Sequence, residues 1–170
     1  MREWAQKHLP PSPTPIRVLE SGCGNGTLLL SFLTSPRPAA PQPFHLTGID
    51  YSAGAISLAR GVEMARRAAL DWEDRVVNEV EVEWRQGDLL RDNIEDKWDL
   101  VLDKGTFDAL ALSNEVVDGN GRLPSIVYPE RIARLVREGG FFLITSCNFT
   151  EEEIRRRYTR PELGKLPDDR

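Results

Sequence analysis

Residues 18–26 read Val-Leu-Glu-Ser-Gly-Cys-Gly-Asn-Gly, and the fold turns on this stretch. Ile16 to Glu20 is a short β-rich run and reads as a strand. It breaks into Gly22, Gly24 and Gly26, which permit a tight turn and a close approach of backbone to a ligand. Thr27 to Leu33 then carries Leu28, Leu29, Leu30 and Phe32, the composition of a short buried helix. The order is strand, glycine turn, helix.

Upstream, Glu3 to Leu9 reads as a helix end, and Pro10, Pro11, Pro13 and Pro15 make a stiff linker. Downstream, 34–44 carries Pro36, Pro38, Pro41 and Pro43 and reads as an exposed loop. The alternation then resumes. His45–Asp50 is a strand, and Ser52 caps a helix whose apolar face is Ile56, Ala59, Val62 and Ala69. Val80–Trp84 alternates as an edge strand with one wet face. Asp99–Asp103 is a strand bounded by carboxylates. Glu130–Glu138 reads as a helix opened by Pro129 and stopped by Gly139-Gly140. Phe141–Thr145 reads as a buried strand. Thr150 to Glu153 forms a capping box, followed by Glu151–Arg155, Glu152–Arg156 and Glu153–Arg157 pairs on a solvated face; 151–170 is thus a polar helix and tail. Strands alternating with helices predict an α/β fold with a mostly parallel sheet of about five strands.

The chain has 170 residues, 22 Lys+Arg against 27 Asp+Glu, a net charge of -5 and 40% apolar residues. The expectation is one domain, 1–170, large enough to bury roughly 70% of its unfolded surface. Cys23, Cys147, His8 and His45 offer neither a disulfide framework nor a zinc site, and two cysteines fit a reducing compartment. No apolar run is long enough for a membrane span, and the acidic balance disfavours nucleic acid. Trp4, Trp72, Trp84 and Trp98 read as packing residues. Cys23 has no identifiable histidine partner and does not read as a nucleophile.

In open parallel sheets, ligands bind beyond the carboxyl ends of the strands. The residues following the predicted strands are Glu20 with the glycine turn, Asp50-Tyr51-Ser52, Gly87-Asp88-Leu89, and Asp103-Lys104-Gly105-Thr106. Four acidic groups are thus expected at one rim. A dinucleotide site would show Gly-x-Gly-x-x-Gly and seat a pyrophosphate at the helix N-terminus. Here the spacing is Gly-x-Gly-x-Gly, and Glu20, Asp88 and Asp103 would repel a diphosphate. A ligand with an ammonium and a sulfonium but no phosphate fits this charge, which points to S-adenosylmethionine.

The chemistry of that ligand suggests the roles. Glu20 accepts from the ammonium, while Gly22 and Gly24 let the backbone pass beneath. Asp50 takes the ribose hydroxyls, Tyr51 packs on the adenine, Asp88 accepts from its amino group, and the Leu89 N–H donates to a ring nitrogen. Asp103 points toward the transfer centre as the candidate catalytic residue, and no metal is expected. Plainer alternatives stay open: Asp50 as a helix cap, Asp88 as a turn residue, Glu20 as a solvated carboxylate. Lys104 reads as structural, and Asn114–Pro124 as a substrate-facing loop whose glycines flexibility explains equally well.

Val18–Gly26 resembles motif I of class I S-adenosylmethionine-dependent methyltransferases, and Gly48-Ile49-Asp50-Tyr51-Ser52 their second acidic motif. Leu102-Asp103-Lys104-Gly105-Thr106-Phe107-Asp108-Ala109 and Phe142–Thr150 together resemble the elongation factor 1-alpha lysine methyltransferase family, over roughly Trp4 to Tyr158. The resemblance implies a Rossmann-like class I methyltransferase fold with helices on both faces. It also implies a protein-lysine N-methyltransferase with elongation factor 1-alpha as partner, monomeric and cytoplasmic, the nucleus left open as a second compartment. A neutral lysine ε-amine would attack in line, with Asp103 orienting it or taking its proton through water. Glu20 stands where the family usually has Asp, and the proline-rich loop is longer than usual. Both ends look short: the expectation is a truncated chain, its C-terminal antiparallel hairpin missing and the edge of Phe141–Thr145 uncovered. A small-molecule methyltransferase and a non-catalytic cofactor-binding scaffold are the alternatives. A nucleic-acid or glutamine methylase would carry Asn/Asp-Pro-Pro-Tyr where this chain has Asp-Lys-Gly-Thr.

Overall fold

The computed structural model describes residues 1–35, 42–69 and 76–159. The chain divides into two units, Met1–Gly87 and Asp88–Arg170. Pro36, Pro38, Pro41, Trp72 and the tail from Pro161 lie outside the described residues.

The first unit runs α1 (Arg2–His8), β1 (Ile16–Ser21), a 3₁₀ turn (Leu29–Leu33), β2 (Thr34–Ser35), β3 (Phe44–Asp50), α2 (Ala53–Ala69), β4 (Val76–Val77) and β5 (Val80–Gln86). Its principal strands lie in the order β5-β3-β1, all parallel, while β2 and β4 make a separate antiparallel pair. Val18, Leu19, Leu46 and Ile49 are buried, as short aliphatic strands inside an α/β layer require. The register sets Ser21 beside Ile49 and Asp50 beside Gln86, so three strand ends finish together. Among the described residues β5 pairs on one side only, and it keeps the half-exposed pattern of an edge.

The helix expected over Thr27–Leu33 is instead a 3₁₀ turn. Leu29, Leu30, Phe32 and Leu33 are all buried. A 3₁₀ turn aligns residues three apart, here Leu29 with Phe32 and Leu30 with Leu33, and so buries four side chains within five residues. A short α-helix offers only one apolar stripe.

The second unit runs β6 (Trp98–Lys104), α3 (Thr106–Ala111), α4 (Pro124–Leu135), β7 (Val136–Thr145) and α5 (Glu151–Tyr158). β6 and β7 are parallel, with Leu100 opposite Phe141 and Lys104 opposite Thr145. β6 is buried from Trp98 to Asp103. Asp99 near its start pairs with Arg137. Three parallel strands in the first unit and two in the second, with α2 between β3 and β5 and α3 and α4 between β6 and β7, are the expected Rossmann-like α/β class.

Three expectations are corrected here. The helix assigned to Glu130–Glu138 is α4, which starts at Pro124 and ends at Leu135. Pro124 takes the first-turn place, and burial of Val127 and Tyr128 draws the helix back past Pro129. Gly139-Gly140 does not stop a helix; it lies inside β7 at a register irregularity, with Gly139 at φ 73°. A Cβ on Gly140 would lie 2.9 Å from the Asp99 carbonyl oxygen, so the bulge needs a residue without one. Finally, β7 is half-exposed rather than buried: among the described residues only β6 pairs with it.

The capping box of α5 is present, with Thr150 Oγ1 accepting from the Glu153 N–H at 3.3 Å and Glu153 accepting from the Thr150 N–H at 2.8 Å. Among the described residues no helix is long and apolar enough to cross a membrane.

Candidate functional site

β1 delivers the chain into a turn at Gly22, Gly24 and Gly26, with φ of 60°, 53° and 71°. This left-handed region is costly for any residue with a Cβ. A Cβ on Gly24 would meet nothing within 4 Å, so the turn faces open space there. Gly26 serves packing: its Cβ would lie 2.3 Å from Trp84 Cη2. Trp84 is anchored by its indole N–H, which donates to Glu63 at 2.7 Å, and is a packing residue as expected.

Asp50, at the end of β3, pins this turn. Its Oδ2 accepts from the Gly24 N–H at 2.9 Å and its Oδ1 from the Ser52 N–H at 2.9 Å. Ser52 Oγ accepts from the Ala55 N–H at 3.3 Å and so caps α2. The Cys23 N–H donates to the Ile49 carbonyl at 3.0 Å, a second tie between turn and strand. Each carboxylate oxygen has two acceptor directions, so these backbone bonds leave Asp50 chemically able to take ligand hydroxyls. Glu20 is buried rather than solvated, and its Oε2 accepts from the Leu29 N–H at 3.0 Å. Tyr51 is 81% exposed, an aromatic face offered at the strand end. Between Glu20 and Asp50 lies Cys23, whose thiol is pushed up to about 12 by burial and then by those two carboxylates. It stays protonated and is no nucleophile.

Asp88 and Leu89 open the second unit. Asp88 Oδ1 accepts from the Leu90 N–H at 2.9 Å, and its Oδ2 pairs with Arg91 at 2.8 Å. The turn reading of Asp88 therefore describes what it does within the protein. Leu89 is buried.

Asp103 has 0% exposure. Its Oδ1 accepts from the Thr106 N–H at 2.8 Å; its Oδ2 accepts from the Phe107 N–H at 3.0 Å and the Tyr128 hydroxyl at 2.8 Å. Burial holds its carboxyl above the ordinary range, although all three hydrogen bonds pull it down. Asp103 thus holds the Gly105–Phe107 turn to β6, and its own atoms do not reach solvent. Lys104 is exposed.

Sequence reasoning passed over Asp108. It is buried, and its carboxylate accepts from Ser146 Oγ at 2.5 Å and the Cys147 N–H at 2.8 Å. The helix after β6 is thereby tied to the turn after β7. A signal existed: an acid shortly after the Gly105 turn that follows a strand, and a Ser at a strand end, both ask for partners. The loop Asn114–Pro124 is also built, with Asp118 gripping Arg122 at 2.6 Å and Arg122 reaching Glu130 at 2.8 Å. No group of residues that could hold a metal ion occurs among the described residues.

The family described as "Methyltransferase domain" matches residues 14–165. Protein-lysine N-methyltransferase efm4 of Schizosaccharomyces pombe is 38% identical over 166 residues, covering 93% of this chain and 65% of that protein. EEF1A lysine methyltransferase 2 of Homo sapiens is 32% identical over 158 residues, 92% of this chain and 57% of that protein. The chain therefore spans less than two thirds of these relatives. Among solved structures, a TehB-like SAM-dependent methyltransferase from Corynebacterium glutamicum superposes with a TM-score of 0.55 at 20% identity, over 90% of this chain and 67% of that one. The CMeT domain of the citrinin polyketide synthase gives 0.56 at 19% identity, over 84% of this chain and 32% of that one. At these identities the likeness is one of fold.

Proposed function

The chain belongs to the methyltransferase-domain family, and on that premise we propose that it binds S-adenosylmethionine and methylates a lysine ε-amine of translation elongation factor 1-alpha. The observation that carries the cofactor half is the left-handed Gly24, open above and bonded to Asp50 at 2.9 Å. The substrate half is supported by one relative named as a protein-lysine N-methyltransferase and another named as an EEF1A lysine methyltransferase.

When bound, S-adenosylmethionine supplies a methyl group made electrophilic by its sulfonium. The residues present fit such a ligand. Glu20 and Asp50 put negative charge beside a turn whose backbone stays open over Gly24. A cationic donor gains from that charge, and a diphosphate would be repelled. Asp50 accepts from vicinal hydroxyls, and Tyr51 offers its exposed ring to a base. The incoming lysine must be neutral, against a free pKa of about 10.4, so removal from water assists it. We assign Asp103 a positioning part: it fixes the Gly105–Phe107 turn rather than touching the amine. Alignment then lowers the barrier.

Calorimetry with S-adenosylmethionine, followed by radiolabelled methyl transfer to purified elongation factor 1-alpha, tests this. Binding with transfer supports the proposal. Binding without transfer favours a scaffold, and transfer only to a small amine favours a small-molecule enzyme. Absence of binding removes the cofactor half.

A further inference from the structure

α5 carries three glutamates, each followed four residues later by an arginine. Two of these pairs close as ion pairs, Glu151–Arg155 at 2.9 Å and Glu152–Arg156 at 2.5 Å. The third departs from the pattern. Glu153 accepts from the Thr150 N–H and Oγ1, each at 2.8 Å. Arg157 turns to two aromatic rings. Its guanidinium carbon lies 4.9 Å from the centroid of Phe149 and 5.7 Å from that of Phe107. The two rings stand 5.2 Å apart, tilted by 46° to each other. Paired ring faces around one cation are the arrangement that recognises organic ammonium groups.

The neighbouring residue supplies an independent sign of a ligand place. Tyr158 is 6% exposed and stands edge-on to Phe107 at 5.7 Å. Its hydroxyl is buried and has no hydrogen-bond partner among the described residues. Burial, with the Asp103 charge adding to it, keeps that phenol neutral. Its oxygen therefore offers an unused acceptor beside the rings, suited to an N–H of a cation. Hydrogen bonds fix the segments that carry the rings. Phe107 follows the turn held by Asp103, and the Phe149 N–H donates to Ser146 Oγ, which in turn donates to Asp108.

We infer that Phe107, Phe149 and Tyr158 form a binding pocket for an alkylammonium cation, the end of a lysine or methyllysine side chain, which Arg157 fills in the free protein as an internal stand-in. The identification with lysine rests on the function proposed above; the affinity for an ammonium group does not. Entry of the ligand requires the Arg157 side chain to swing out. That motion is confined to one long side chain on the last turn of α5.

The test titrates the full chain with tetramethylammonium and with n-butylammonium, following ring resonances by NMR. Arg157→Ala should bind both about tenfold more tightly than the native chain, because the internal competitor is gone. Adding Phe149→Leu should abolish that gain, and Phe149→Tyr, which keeps a ring face, should restore it. Equal affinity in Arg157→Ala and the native chain overturns the pocket, as does a gain that survives Phe149→Leu. Calorimetry of the native chain with S-adenosylmethionine runs beside it. Failure there with a positive ammonium titration would remove the proposed function and leave the pocket. A flat titration beside normal S-adenosylmethionine binding removes the pocket alone.

Discussion

The Cys147 backbone N–H donates to Asp108 at 2.8 Å, across 39 residues of chain. The contact follows from topology. β6 and β7 are parallel and end in register, Lys104 opposite Thr145, so the segments after both strands emerge side by side. Asp108 closes the gap and also accepts from Ser146 Oγ, which holds the Asn148 and Phe149 N–H groups at 3.1 and 3.0 Å. Asp108→Ala should cost about 1–3 kcal/mol, because it strands part-buried donors. Asp108→Asn should cost less, since one carbonyl acceptor remains. Urea unfolding measures both, and midpoints equal to the native one would mean that the clamp carries no stability.

Asp50→Ala should weaken S-adenosylmethionine binding by roughly 1–3 kcal/mol, read by calorimetry. Two losses combine there. The ligand loses an acceptor, and the Gly24 and Ser52 N–H groups lose theirs, so the turn is no longer held. An unchanged affinity would take Asp50 out of the site.

The main strands were legible because each is a short apolar or alternating run stopped by a carboxylate or a glycine, as at Glu20, Asp50 and Asp103. The capping box of α5 was legible because its partners are three residues apart. The start of α4 was not: Pro124 and Pro129 both suit a first turn, and only the burial of Val127 and Tyr128 decides between them. Gly139-Gly140 suits a helix stop or a strand bulge equally, and the nearby Asp99 carbonyl settles it. In the site, the strand-end carboxylates could be found one by one. What each one holds could not, because the partners lie far along the chain: 26 residues for Asp50 with Gly24, 25 for Asp103 with Tyr128, 39 for Asp108 with Cys147. Arg157 was read only in part: local spacing offered it Glu153, whose carboxyl its charge helps to lower, and the fold added two rings.

Asp103 makes stability depend on pH in a stated direction. Burial raises its carboxyl above 3.8, with Asp108 adding to the rise and the Tyr128, Thr106 and Phe107 hydrogen bonds opposing it. Between 3.8 and the raised value, the native state binds more protons than the unfolded chain, so stability falls as pH increases. The contribution is fully present below 3.8 and is lost as pH rises through the native value. Asp103→Asn removes the titration while its loss of an acceptor costs the same at every pH. The native chain's stability minus the variant's should therefore shrink from acid to neutral pH, measured by urea unfolding across that range. A difference that does not change with pH would show that the native carboxyl titrates as it does in the unfolded chain.

Gly48 lies within β3, where its backbone conformation asks for no glycine; the reason for it is Trp84. A Cβ at this position would lie 2.4 Å from both Cε3 and Cζ3 of the indole, and 3.0 Å from Cys23 Sγ. The indole cannot easily withdraw, because its N–H is bonded to Glu63, which Arg67 holds at 2.8 Å. Gly48→Ala should therefore destabilise by about 1–3 kcal/mol through overpacking. Trp84→Phe removes the outer ring and alone should cost stability through lost packing. Combined, the two changes should cost less than their sum, because the smaller ring leaves room for the methyl group. Thermal unfolding of the four proteins gives the coupling directly, and strict additivity would show that the methyl group's clash lies elsewhere, with the Cys23 sulfur.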